Sequence, residues 1–151
     1  MYKRQDIAYA LIFNEKYPGW GYSISNGATT IWERWNSYTK ETGFGDAGMN
    51  SFNHYSLGSC VEWLYSYVLG IKLFPEQEKV VISPSFGKKL AFARGGTRVK
   101  GGKIFVQWRR ENNAVILEVK ADEGVNYEIC VLDGVQSAVK NGNDTVATIY
   151  L

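Results

Sequence analysis

At 151 residues, with 45% apolar content and a formal net charge of +2, the chain is long enough for one packed domain or two small ones. Its charge gives no support to nucleic-acid binding through a basic surface, nor to an acidic solvating tail. Cys60 and Cys130 lack metal-ligand spacing and read as free, buried thiols. No cofactor or metal is expected, because no Gly-rich phosphate loop, HExxH or paired CxxC is present.

The opening "MYKRQDIAYALIF" has an apolar run too short for a membrane span, broken by Asn14 and Glu15, and has no small-residue cleavage site, so it does not read as a signal peptide. It reads instead as a helix over residues 4–14, with Ile7, Ala8, Leu11 and Ile12 on one face, ended by "YPGWG". A second helix is expected from about Thr29, where Thr30 could cap and Glu33 would complete a capping box. Then "KETGFGDAGMN" reads as a loop. Over 51–71, Leu57, Cys60, Val61, Leu64, Val68 and Ile71 recur at helical spacing.

Beyond Gly70 the period changes. The linker "GIKLFPEQEK" leads to "KVVISPSF", "KLAFA", "KIFVQW", "AVILEVKA", "YEICVL" and "TVATIYL", short runs rich in β-branched and aromatic residues that read as strands. "RGGTRVKGGK" and "RENNA" read as the breaks between them, at hairpin distances that favour an antiparallel sandwich. Fifteen of the 22 aromatic residues fall within residues 1–72, whereas residues 73–151 hold 11 of the 17 Lys and Arg. Two modules are therefore expected, 1–72 and 73–151. The first has more apolar surface than its few helices can hide against one another, so it calls for further neighbours.

Candidate chemistry concentrates in the first module. His54 is the only histidine and no GxSxG elbow accompanies it, which removes serine nucleophile chemistry. What remains is Trp20, Tyr22, Trp32, Glu33, Trp35, Asp46, Asn50, Asn53 and His54: flat rings that stack on sugar faces, and acids, amides and an imidazole that bond hydroxyls. Glu33 has three readings: a helix-surface cap, a partner for Arg34, or the acid or base of a sugar-cleaving site.

The strings "NGATTIWERWNSYT" and "GFGDAGMNSFNHYSLGSCVEWLYSYVLGI" closely resemble the C-terminal part of the catalytic domain of bacterial α-L-rhamnosidases, and the upstream "YPGWGYSISNGA" fits the same pattern. Residues 75–151 resemble, on pattern rather than motif, the β-sandwich that follows the barrel in that family. The resemblance implies an α+β multidomain fragment, with incomplete (α/α)6-barrel helices in 1–72 and an antiparallel β-sandwich in 73–151. It also implies an inverting glycoside hydrolase in which Glu33 is the general base that activates water, paired with an acid about 6.5–9.5 Å away. His54 would bond rhamnose hydroxyls, and Trp32, Trp35 and Asn50 would line or support the pocket. The family's general acid lies in earlier barrel helices with no counterpart in this chain, and Asp46 does not take that role, so the isolated chain is expected to be inactive on natural rhamnosides.

The implied partners are a rhamnose-containing glycoside or polysaccharide, and either the remaining barrel or self-association through 1–72, with no nucleic acid and no membrane. The compartment would be the cytoplasm or periplasm of a bacterium. The other class of function left open is a non-catalytic carbohydrate-binding or assembly module that keeps part of a sugar pocket.

Overall fold

The computed structural model describes residues 4–131 and 137–150. Leu132 of "YEICVL" and Leu151 of "TVATIYL" lie outside the described residues. The chain divides into two compact units, Met1–Val61 and Glu62–Leu151.

In the first unit, helix α1 spans Gln5–Ile12 and buries Tyr9, while Ile7 and Leu11 stay exposed. The apolar face expected from periodicity is therefore only partly covered in this unit, with Ala8 and Ile12 half-buried. The "YPGWG" stretch does more than end that helix, because Trp20–Ser25 forms a second helix, α2. The chain doubles back tightly there: a Cβ on Gly21 would lie 2.6 Å from the carbonyl oxygen of Asn14, so glycine permits the approach.

The helix expected from Thr29 does not form. The Glu33 amide donates to Ser51 O at 2.9 Å and the His54 amide to Ile31 O at 2.8 Å, so the segment pairs with residues 51–54 instead of bonding within a helix. A weak local helix signal has lost to these long-range bonds. Strands β1 (Tyr38–Thr39) and β2 (Gly43–Phe44) form a short hairpin in the expected loop. A 3-10 turn, Ala47–Met49, follows, capped by Asp46 Oδ1 accepting from the Gly48 amide at 2.8 Å. The helix expected over 51–71 is shorter and mixed: a 3-10 turn at Ser56–Ser59, helix α3 over Cys60–Trp63, and a π-helical turn at Leu64–Val68.

The second unit is built on two sheets. Its strands are β3 (Ile71–Phe74), β4 (Lys79–Ile82), β5 (Phe92–Val99), β6 (Gly102–Glu111), β7 (Ala114–Ala121), β8 (Tyr127–Ile129), β9 (Ser137–Asn141) and β10 (Asp144–Tyr150). The larger sheet has five strands in the order β5-β6-β7-β10-β9, all antiparallel, and the smaller runs β3-β4-β8 with β4 and β8 parallel.

Two sequence expectations are corrected here. The linker "GIKLF" is strand β3, hydrogen-bonded to β4. "RGGTRV" is the body of β5 rather than a break, and only Lys100 and Gly101 turn into β6.

Alternation along the strands builds the core. Ile104, Val106 and Trp108 on β6, Val115, Leu117 and Val119 on β7, and Ala147 and Ile149 on β10 are at most 1% exposed. The Trp108 ring adds a directed tie, with Nε1 donating to Val68 O at 2.7 Å. Both described cysteines are free. Cys60 is half-buried, and burial raises its thiol pKa. Cys130 corrects the expectation of burial: it follows β8 in the alternation, after inward-leaning Ile129, and lies exposed.

Candidate functional site

The pairing that replaces the expected helix assembles the candidate site. Segments 30–33 and 51–54 lie side by side through the Glu33–Ser51 and Ile31–His54 backbone bonds, and the Thr30 hydroxyl donates to Phe52 O. This pairing places Glu33 and His54 on two neighbouring segments that are far apart in sequence.

The Glu33 carboxylate is half-buried and fixed by one oxygen: Oε2 accepts from the Ser51 amide at 2.7 Å. Its other oxygen has no hydrogen-bond partner among the described residues. Arg34 turns elsewhere, its Nη2 donating to Asp46 O at 3.3 Å and its amide to Ser37 Oγ at 3.2 Å. Both the capping-box reading and the Arg34-partner reading of Glu33 are thereby corrected. A carboxylate held by one oxygen and open at the other has a set direction and a lone pair to offer a water molecule.

His54 is half-buried. Its Nδ1 accepts from the Ser56 amide at 3.3 Å, which assigns the neutral ring's proton to Nε2 and makes that nitrogen a donor. The imidazole lies parallel to the Tyr55 ring, at 5.5 Å between centroids and 2° between planes, and Tyr55 itself is 88% exposed.

The tryptophans separate into two settings. Trp32 is 7% exposed, with the edges of Phe52 and Tyr38 against it at 5.3 and 6.4 Å. Trp35 is half-buried on the other side of the turn, meeting Trp20 edge-on at 4.8 Å, while its carbonyl accepts from Ser23 Oγ at 2.8 Å. Trp20 is anchored in turn by Nε1 to Leu57 O at 3.2 Å.

Asn50 clamps the turn, Nδ2 donating to Ser37 O at 2.8 Å, and its Oδ1 is buried with no partner among the described residues. Asn53 is exposed, with its amide on Ser51 Oγ at 3.2 Å, and Tyr22 packs edge-on to Tyr17 at 5.5 Å. Asp46 is occupied as a turn cap. Sequence reasoning missed the Ser51 amide and the Tyr55 ring. A backbone donor leaves no signature in residue type, whereas the exposed tyrosine adjoining His54 was available to be noticed.

Among the described residues no group of three or more His, Cys, Asp or Glu could hold a metal ion. Nor is any helix there long and apolar enough to cross a membrane.

Residues 1–68 match the family described as bacterial alpha-L-rhamnosidase 6 hairpin glycosidase domain, and residues 77–145 match bacterial alpha-L-rhamnosidase C-terminal domain. An alpha-L-rhamnosidase of Alteromonas sp. (strain LOR) is 44% identical over 126 residues, covering 83% of this chain and 14% of that protein. One from Formosa agariphila is 39% identical over 140 residues, covering 92% of this chain and 15% of that protein. The chain thus spans about one seventh of the length of these relatives.

Among solved structures, the Streptomyces avermitilis alpha-L-rhamnosidase complexed with L-rhamnose superposes with a TM-score of 0.75 at 30% identity, over 98% of this chain and 15% of that one. The Aspergillus terreus enzyme gives 0.82 at 23% identity, over 98% of this chain and 18% of that one, a likeness of fold.

Proposed function

Because the chain belongs to the bacterial α-L-rhamnosidase family, we propose that it is the closing part of a glycoside hydrolase that removes terminal α-L-rhamnose with inversion, and that it supplies the general base, Glu33. The observation that carries this reading is the half-held carboxylate: Oε2 is fixed by the Ser51 amide while the other oxygen is open, on a segment paired with the one that carries His54.

In this mechanism the open oxygen takes a proton from water as that water attacks the anomeric carbon, and an acid on the opposite side protonates the leaving oxygen. His54 Nε2 donates to a sugar hydroxyl. Trp32, enclosed by Phe52 and Tyr38, supports the floor behind Glu33, and Asn50 holds the turn through Ser37. Trp35 lines the neighbouring wall with Trp20. The acid comes from outside residues 1–151. The functional division we assign is 1–72 to the catalytic domain and 73–151 to the sandwich.

The exposed Ile7, Leu11, Ile24 and Phe44, from 41% to 75% accessible, are the surface we assign to the rest of the barrel, or to a second copy when the chain is alone. Light scattering of the isolated chain then reports association that Leu11→Glu with Phe44→Glu reduces, and a strictly monomeric chain overturns the assignment.

The decisive experiment uses an aryl α-L-rhamnoside. The isolated chain gives no turnover above background, and robust turnover that Glu33→Gln abolishes would overturn its inactivity. In a chain extended to include the preceding barrel, Glu33→Gln lowers kcat by about 10²–10⁴-fold; unchanged kcat there overturns the role of Glu33.

A further inference from the structure

The outer face of the larger sheet carries chemistry that the Glu33 region does not use. Alternation turns Ile104, Val106 and Trp108 inward and leaves Phe105, Gln107 and Arg109 on the other side. The register sets Arg94 beside Gln107 and Glu118, then Gly96 beside Phe105 and Lys120, then Arg98 beside Lys103. Successive rungs on one face are about 7 Å apart.

This face is opposite the one that receives the segment preceding β3. Trp108 reaches Val68 from the inner side, and Leu69 Cδ1 lies 2.7 Å from where a Cβ on inward-facing Gly95 would stand.

Both aromatic and charged groups are presented here. Phe92 is 60% exposed and Phe105 38%. Phe105 leans over β5, its Cδ2 3.3 Å from the position of a Cβ on Gly96, so the absent side chain makes room for the ring.

Two acids on this face, Glu111 and Glu118, are engaged by Arg109. Glu118 accepts from Arg109 Nη1 at 2.5 Å and Gln107 Nε2 at 2.6 Å, and Arg109 Nε also binds Glu111 at 2.7 Å. Arg94, Arg98, Lys103 and Lys120 form no direct ion pair among the described residues. The face therefore offers apolar rings alongside the exposed guanidinium groups of Arg94 and Arg98, while Lys103 and Lys120 share their surroundings with Asp122 and Asp144 and Lys120 also acts on Glu118.

A matching ligand needs apolar faces for the phenylalanines and separated anionic groups for the cations. A chain of uronate sugars has both: the C–H faces of its rings stack on Phe92 and Phe105, and its carboxylates suit the planar forks of arginine. Duplex nucleic acid matches less well, since Glu111 and Glu118 stand on the same face and the cations are few. We propose that the outer face of the larger sheet binds an acidic polysaccharide built of uronate residues. This site is separate from Glu33 and stands or falls independently of the glycosidase reading.

The test is calorimetric titration of the chain at low salt with a short oligogalacturonate. Saturable binding is expected, weakened about tenfold in Arg94→Ala with Arg98→Ala and likewise in Phe105→Ala. Glu33→Gln leaves it unchanged. Arg94→Lys with Arg98→Lys keeps the charge without the fork and falls between, which covers the case of a poorly folded alanine variant.

Absence of binding overturns the proposal. So does equal affinity for the neutral methyl-esterified oligomer, which removes the charge argument, or equal affinity for dextran sulfate or duplex DNA, which removes the argument from carboxylates and sugar rings.

Discussion

Glu33 and Ser51 bond each other in both directions: the Glu33 amide donates to Ser51 O at 2.9 Å, and the Ser51 amide donates to Glu33 Oε2 at 2.7 Å. The second bond ties a side chain rather than a backbone, so it can be removed without touching the first. Glu33→Ala should free the Ser51 amide and speed its hydrogen exchange about 10- to 150-fold, the worth of roughly 1.5–3 kcal/mol for a bond to a charged acceptor. Glu33→Gln keeps an oxygen acceptor and should leave that exchange close to wild type while removing the basic carboxylate. Equal Ser51 exchange in all three proteins would mean that the amide does not hold this side chain.

Trp32 and Tyr55, on the two paired segments, should respond oppositely to truncation. Trp32 is 7% exposed between Phe52 and Tyr38, whereas Tyr55 is 88% exposed. Trp32→Ala should cost about 3–5 kcal/mol in urea unfolding, as loss of a large buried ring does. Tyr55→Ala should stay within about 0.5 kcal/mol. A Trp32→Ala loss below about 1 kcal/mol would contradict its place in the packed interior of the first unit.

These two residues also mark what could be read from the sequence. The strings around Glu33 and His54 pointed to a sugar site because unusual residues sit together in them. The pairing of the two strings could not be derived from local pattern, since it depends on amides and carbonyls of residues 31, 33, 51 and 54. The same limit explains the missing helix at Thr29: the capping-box spacing was present, but the backbone found partners elsewhere.

In the second unit, "AVILEVKA" coincides with β7 because period-2 alternation and one buried face specify it. "RGGTRV" was misread because glycine ordinarily ends a strand. Here Gly95 gives room to Leu69 and Gly96 to the Phe105 ring, close approaches that only the assembled sheet reveals.

Trp108 supplies a test of how the π-helical turn is attached to the sandwich. Its indole donates to Val68 O at 2.7 Å from a ring 1% exposed. Trp108→Phe retains an aromatic ring but leaves that carbonyl without its donor, at a cost of about 1–3 kcal/mol plus the lost volume. Amide exchange over residues 64–69 should rise more than exchange in β7. A uniform rise across both segments would mean that the indole bond contributes to global stability without tethering the turn.

The Glu118 carboxylate gives the outer face a defined acid dependence. The bond from Arg109 holds its pKa below the ordinary glutamate value, burial opposes that shift, and Gln107 adds to it. A carboxyl whose folded pKa is depressed stabilises the fold at pH above its unfolded value. That contribution is lost as pH falls through the lower, folded value. Melting temperature should therefore drop on acidification from the glutamate range downward, and Glu118→Gln should reduce that drop while lowering stability at neutral pH. Arg109→Met should act in the same direction, because it removes the largest cause of the shift. Parallel melting curves against pH for wild type and Glu118→Gln would show that Glu118 does not couple protonation to folding, and that the Arg109 bridge is too solvated to matter.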